Sequence, residues 1–289
     1  MRREALFSRS GFYRFLLDTN ALMHREARAA ASRILGELAA AAPDRKLGVL
    51  DLACGGWPLS IAEAMGNCAD RRFEYTGVDI NPDQVESARS LFRFPDSVTK
   101  VRILEGNAWD LGPLDLEPGF DLVFSGLNLH HGTPEEIEFL AWELLRLLAP
   151  GGRFLSHDVY RPEAARYRRR PAVNPLDPSE SFRLLAPQRL AAADIPDSSL
   201  TVDADPGEPA WRADYLVRMH RLLLERGADA AGADSTVAHM RQRDYPVSLG
   251  ELRGIFEPLG FVIETGRYLG SDHPLVPYLG WATATAPIG

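Results

Sequence analysis

The sequence predicts an α/β fold, a largely parallel sheet covered by helices on both faces. Short apolar runs of strand character alternate with helical periodicities from residue 47 onward. A glycine turn, Gly55-Gly56, follows the first run, and an acidic residue, Asp79, ends the second. The third signal is the segment Ala149-Pro150-Gly151-Gly152, which stops a helix and turns sharply into the next strand.

The elements follow in order. Residues 1–44 read as helical, with an alanine-rich stretch from Ala21 to Ala42 in which Leu22, Ile34, Leu35 and Leu38 share one stripe. This cap either packs on the following domain or covers a site there. LGVLDLAC is the first strand, and Leu59 to Met65 the helix after it. FEYTGVDI (73–80) is the second strand, and Pro82 opens a helix through about Phe92, proline suiting a first turn that has no partner for its missing N–H. KVRILEG (100–106) and FDLVFSG (120–126) are the third and fourth strands. Pro134 opens an acidic-started helix to Leu148, and GRFLSHDV (152–159) is the fifth strand. Residues 161–244 break the rhythm and read as a helical insertion or lid, with an amphipathic helix at 211–227. Residues 245–289 return to a helix and two strands. The organisation is a cap (1–44), an α/β core (45–160), the insertion (161–244) and the end of the core (245–289).

Composition bounds the function. The chain has 289 residues, 40 acidic and 32 basic, for a net charge of −8. Such a chain lacks the positive field that attracts phosphate backbones, so no nucleic-acid partner is expected. Two cysteines, Cys54 and Cys68, form neither a disulfide framework nor a metal-ligand spacing, and no metal is expected. The first residues lack the apolar core of a secretory signal, and no apolar run reaches the roughly 18 residues of a membrane span. The expectation is a soluble cytoplasmic protein.

The strand ends carry the chemistry. Glycines after the first strand let backbone approach a ligand closely. The following helix points N–H groups at a carboxylate or phosphate. Asp79, beside that turn, can accept from both hydroxyls of a ribose. Asn107 can both donate to and accept from an adenine edge. The turn ACGGWP lacks the G-x-G-x-x-G spacing of a nicotinamide-dependent dehydrogenase.

Five segments in this order, VLDLACGG, YTGVDINPDQVESAR, LEGNAWDL, FDLVFSGLNLHH and LLRLLAPGGRFLSHDVYRP, resemble the class I S-adenosylmethionine-dependent methyltransferases. The resemblance covers about residues 47–160 and returns at 245–287. It implies a seven-stranded Rossmann-like sheet, six strands parallel and one antiparallel, and S-adenosyl-L-methionine as cofactor. It implies that Asp51, Ala53, Gly55 and Gly56 lie near the methionine part of that cofactor and that Asp79 binds its ribose. Ile80 would pack on the adenine, and Asn107, followed by Ala108, stands where the family usually has Asp. Ser125 and Leu127 would lie under the sulfonium. Two positions depart from the family: Ala53 replaces the first glycine of the loop, and Trp57 replaces the third. Trp57 either folds away from the cofactor or reshapes the pocket at its methionine end.

Methyl transfer is an in-line displacement that consumes a positive charge, so a dry pocket aligning donor and acceptor does much of the catalysis. A base is needed only if the acceptor loses a proton as it attacks. Candidates at strand ends are Asn128, His130, His131, Asp158 and Tyr160. His131 either acts there or caps the next helix. Asp158 orients an amine and Tyr160 meets a carboxylate or covers the methyl, or both hold the insertion. Arg166, Arg168, Arg169 and Arg170 form a solvated face or an acidic-ligand patch. Arg218, His220, Arg243 and Tyr245 are possible substrate contacts within or beside the insertion. The expected function is methyl transfer to a small molecule in a covered pocket. Two alternatives keep the cofactor. One is cyclisation of its aminocarboxypropyl arm to a four-membered amino acid with release of methylthioadenosine. The other is a non-catalytic scaffold subunit. Oligomeric state is not legible.

Overall fold

The structure is a computed structural model that describes residues 10–68, 70–163, 209–244, 246–268 and 273–288. Seven strands form one sheet in the order β3-β2-β1-β4-β5-β7-β6. They are β1 (Leu47–Leu52), β2 (Phe73–Asp79), β3 (Val98–Glu105), β4 (Phe120–Gly126), β5 (Leu148–Val159), β6 (Val262–Arg267) and β7 (Leu279–Thr285). β7 runs antiparallel to both its neighbours and every other pairing is parallel, so six strands share one direction. β1 sits between β2 and β4. The chain leaves β1 for one side of the sheet and later returns to the other. The carboxyl ends of β1 and β4 therefore flank the topological switch point, where such sheets bind ligands.

The helices are α1 (Ser10–Asp18), α2 (His24–Ala41), α3 (Leu59–Gly66), α4 (Pro82–Ser90), α5 (Pro134–Leu147), α6 (Ala210–Glu225), α7 (Ala230–Arg243) and α8 (Leu249–Phe256). The strand period of two divides the core between the sheet's faces. Val49, Phe73, Tyr75, Leu122, Phe124 and Leu155 pack against α2, α3 and α4. Leu50, Leu52, Val78, Val123 and Phe154 pack against α5 and α8. Burial on both faces is why these strands read as continuous apolar runs.

A third cluster lies beyond the carboxyl ends of β4 and β5. It joins Leu16, Ala21 and Met23 to Tyr215, Leu216, Met219 and Leu223 of α6, Val237 and Met240 of α7, and Val159, with Leu127 packed against it. The N-terminal segment and the described part of the insertion thus form one layer over the strand ends.

Several boundaries differ from the sequence reading, each for a local reason. The N-terminal helix is interrupted at Asn20 and Met23, both with left-handed backbone. The Asn20 amide spans the break, accepting from the Arg25 N–H at 2.9 Å and donating to Glu26 at 3.0 Å. β5 begins at Leu148 rather than 152, because Leu148 pairs with Phe120 before the glycine turn. A Cβ on Gly152 would lie 2.8 Å from the carbonyl oxygens of Ala149 and Phe120, so only glycine passes there. The helix α7 was not anticipated. Its inward residues include the small Ala233 and Thr236, which leave a weak apolar stripe. Both cysteines are free, and no described helix is long and apolar enough to cross a membrane.

Candidate functional site

Three strand ends on one side of the switch point are tied together by backbone. The Cys54 N–H donates to the Val78 carbonyl at 3.0 Å, and the Gly106 N–H to the Asp79 carbonyl at 2.9 Å. The Asp79 carboxylate accepts from the Gly55 N–H at 2.8 Å and the Asn81 N–H at 2.9 Å, one bond to each oxygen. Ala53 and Gly55 both have left-handed backbone, which turns the loop sharply out of β1. Burial pushes the Asp79 carboxyl up, and the two backbone donors oppose the shift. Asp51, also buried, accepts from the Tyr75 hydroxyl at 2.9 Å. Burial, with the nearby Asp79 charge, pushes Asp51 up to about 8 against the Tyr75 bond.

The structure brings Asp51, Ala53, Gly55, Gly56 and Asp79 into this loop cluster. Sequence reasoning missed Gln84, whose Oε1 accepts from the Gly56 N–H at 2.6 Å. A Cβ on Gly56 would meet that oxygen at 2.6 Å, so the second glycine of the loop serves α4. The signal was the DINPDQ helix entry, where Asn81 caps α4 and places Gln84 one turn in. Ile80 is partly exposed just past β2. Asn107 turns its oxygen onto the Trp109 N–H at 3.0 Å, and Ala108 is buried. The Trp57 ring stands edge-on to Phe92, 5.6 Å between centroids, with the Arg14 guanidinium 5.5 Å over it. The large ring is accommodated at the end of α4 and by α1.

The ends of β4 and β5 form a second group. Leu127, in left-handed backbone, donates its N–H to the His157 carbonyl at 2.7 Å. Ser125 is fully buried, with the Asn128 amide 3.5 Å from its hydroxyl. Asp158, fully buried, accepts from the N–H groups of Asn128 (2.9 Å), Leu129 (2.6 Å) and Val159 (2.6 Å) and from His130 Nδ1 (2.6 Å). A carboxylate has about four acceptor sites, so these bonds use all of them. Asp158 therefore holds the turn after β4. The Tyr160 phenol is fully buried and donates to Ser156 Oγ at 2.9 Å, four residues back along β5.

The Asp158 bond fixes the orientation of the His130 ring and leaves its Nε2 facing Asp244 Oδ1 at 3.7 Å. Burial alone would lower the His130 pKa. The charges of Asp158 and Asp244 and the Asp158 bond overcome it and hold the ring at about 9. His131 is about one-third exposed, its Nδ1 3.8 Å from the same Asp244 oxygen. Asp244, buried, was not singled out from sequence, and burial pushes it up to about 6 against the attraction of His130.

The remaining candidates lie elsewhere. Arg218 pairs with Asp214 at 2.6 Å within α6, and His220 bridges to Asp234 of α7 at 2.8 Å. Arg166, Arg168, Arg169, Arg170, Tyr245 and the Arg243 side chain lie outside the described residues.

The sheet order, the switch-point loop and its acidic neighbour define a Rossmann-like α/β domain. A family model described as a methyltransferase domain matches residues 49–152. An uncharacterised methyltransferase of Synechocystis sp. is 32% identical over 114 residues, 39% of this chain and 48% of that protein. The chain thus spans about half the length of the curated relative it matches. Among solved structures, magnesium protoporphyrin IX methyltransferase from Synechocystis, with bound SAH, superposes with a TM-score of 0.52 at 14% identity. The superposition covers 97% of this chain and 96% of that one. The plantazolicin methyltransferase, in complex with SAH, gives 0.55 at 10% identity over 98% and 93%. These likenesses establish the fold. The family match itself is confined to residues 49–152.

Proposed function

We propose that this chain binds S-adenosyl-L-methionine and transfers its methyl group to a small-molecule acceptor. The observation that carries the reading is the tie between Asp79 and the loop after β1. Each carboxylate oxygen gives one lone pair to backbone, which fixes the group and leaves one on each oxygen for a vicinal pair of ribose hydroxyls. The residues present therefore fit the cofactor. Asp79 would hold the ribose, Ile80 and Asn107 the adenine side, and Asp51 with the loop the methionine end. Ser125 and Leu127, across the switch point, would face the reacting sulfur.

The bound cofactor supplies an electrophilic methyl on a positively charged sulfur. The chain's part is to align and to dry the site. The layer built from α1, α6 and α7 covers the strand ends, which suits a small acceptor better than a folded macromolecule. Asn128 and His131, on the turn after β4, line the acceptor side. The ground for cyclisation was a pocket reshaped by Trp57. That ground is weakened, because Phe92 and Arg14 take up the ring.

The test is cofactor affinity by calorimetry on the full chain. Asp79→Ala removes both ribose contacts and should weaken binding by roughly 30-fold or more, about 2 kcal/mol at the charged-group scale. Unchanged affinity in a folded Asp79→Ala chain would overturn the assignment.

A further inference from the structure

The cluster of His130, His131 and Asp244 is not needed to bind or align the cofactor. Two of its members sit side by side on the turn after β4, and the third follows α7 in the chain. The nitrogens His130 Nε2 and His131 Nδ1 lie 3.7 and 3.8 Å from the same Asp244 oxygen. One ligand atom from each residue falls within 4.8 Å of the others. A divalent ion with metal–nitrogen bonds of 2.0–2.1 Å needs tetrahedral ligands roughly 3.4 Å apart, so small side-chain shifts close the set.

Two further features point to a ligand here. Asp244 Oδ1 is buried and has no hydrogen-bond partner among the described residues, although both imidazoles lie within 4 Å of it. A buried carboxylate oxygen without a hydrogen bond is costly unless something binds it more closely. His130 already has the support a metal-bound histidine needs. Its Nδ1 donates to Asp158, which itself is anchored by three backbone N–H groups. That bond fixes the ring and leaves the other nitrogen as donor atom toward a metal.

We propose that His130, His131 and Asp244 form a binding site for a divalent first-row transition cation, of which Zn2+ is the test species. Two imidazoles and one carboxylate select this class over Mg2+ and Ca2+, which take oxygen ligands. Three protein ligands leave positions open. The site lies on the turn after β4, next to the acceptor side of the proposed reaction, so its use there rests on the proposed methyl transfer. The ion would also tie the end of α7 to the core. Arg212, buried nearby, donates to the Met240 carbonyl at 3.2 Å and also to that of Arg241, and its charge acts on Asp244.

The experiment uses the full chain, free of any polyhistidine tag and stripped with a chelator. Zn2+ binding is measured by calorimetry, and Co2+ binding by its visible absorption. The expected result is one ion per chain and a Co2+ spectrum typical of four or five nitrogen and oxygen ligands. His131→Ala and Asp244→Asn should each weaken binding by more than about 100-fold, beyond the roughly 10–100-fold cost of losing a supporting partner. His131 is partly exposed, so its variant decides the matter should Asp244→Asn fail to fold. Absence of stoichiometric binding, or binding that a folded His131→Ala retains, would overturn the site. S-adenosylmethionine affinity is measured on the same metal-stripped sample. Cofactor binding without Zn2+ binding would sink the metal site alone, and the reverse would sink the methyl-transfer reading alone.

Discussion

At the scale of the residue, Asp51 is the sharpest case. Burial and the neighbouring Asp79 push its carboxyl up to about 8, so the proton is retained at neutral pH. In the proposed function the cofactor's positively charged amine comes toward the methionine end of the pocket, and that charge favours the ionised carboxylate. Binding therefore releases a proton, and each pH unit below 8 should cost up to about tenfold in affinity. Calorimetry from pH 6 to 8 should show affinity rising with pH. Asp51→Asn should flatten that profile. A profile unchanged by Asp51→Asn would show that the carboxylate is remote from the cofactor's charge.

Residue chemistry was legible only where it was local in sequence. The loop 53–56 and Asp79 announce themselves by spacing along adjacent strands. Gln84 was hidden because its role depends on how α4 docks on the loop. Asp244 was hidden because it meets His130 and His131 only after the insertion folds back onto the turn after β4. Tyr160 and Asp158 do share one side of β5, as alternation predicts, but alternation does not say what already fills their bonds.

At the scale of the element, caps and turns explain the boundaries. α5 starts with a capping box in which the Glu136 N–H donates to the Thr133 hydroxyl at 3.2 Å and the Thr133 N–H to the Glu136 carboxylate at 2.6 Å. The sequence reading saw the proline and the acidic first turn there. Thr133→Ala should cost about 1 kcal/mol in denaturant unfolding. It should leave cofactor affinity unchanged, because the cap lies beyond the turn that Asp158 holds. A loss well above 2 kcal/mol would mean that this cap supports the site as well as α5. The core strands were legible because burial on both faces writes apolar runs. The helix α7 was not, since Ala233 and Thr236 dilute the inward stripe of Val237 and Met240.

At the scale of the whole molecule, His157 joins the N-terminal layer to the sheet. Its Nε2 donates to the Leu22 carbonyl at 2.8 Å, and its Nδ1 accepts from the Tyr268 hydroxyl at 2.7 Å. Burial lowers its pKa, and burial with the His157 charge pushes His24 to about 3. A histidine lowered in the folded chain costs stability once the unfolded chain takes up protons, that is, as pH falls through about 6.5. Thermal unfolding should therefore show the parent losing stability from pH 7 to 5 relative to His157→Gln, whose amide can still donate to Leu22. Parallel losses would mean that His157 is charged in the folded chain.

The central claim, methyl transfer, is tested most directly by mass spectrometry. The purified chain is incubated with S-adenosylmethionine, alone and with a small-molecule metabolite extract. The account predicts intact cofactor without extract, and S-adenosylhomocysteine with a matching methylated product when extract is present. Methylthioadenosine formed in proportion to protein, with no acceptor added, would contradict it.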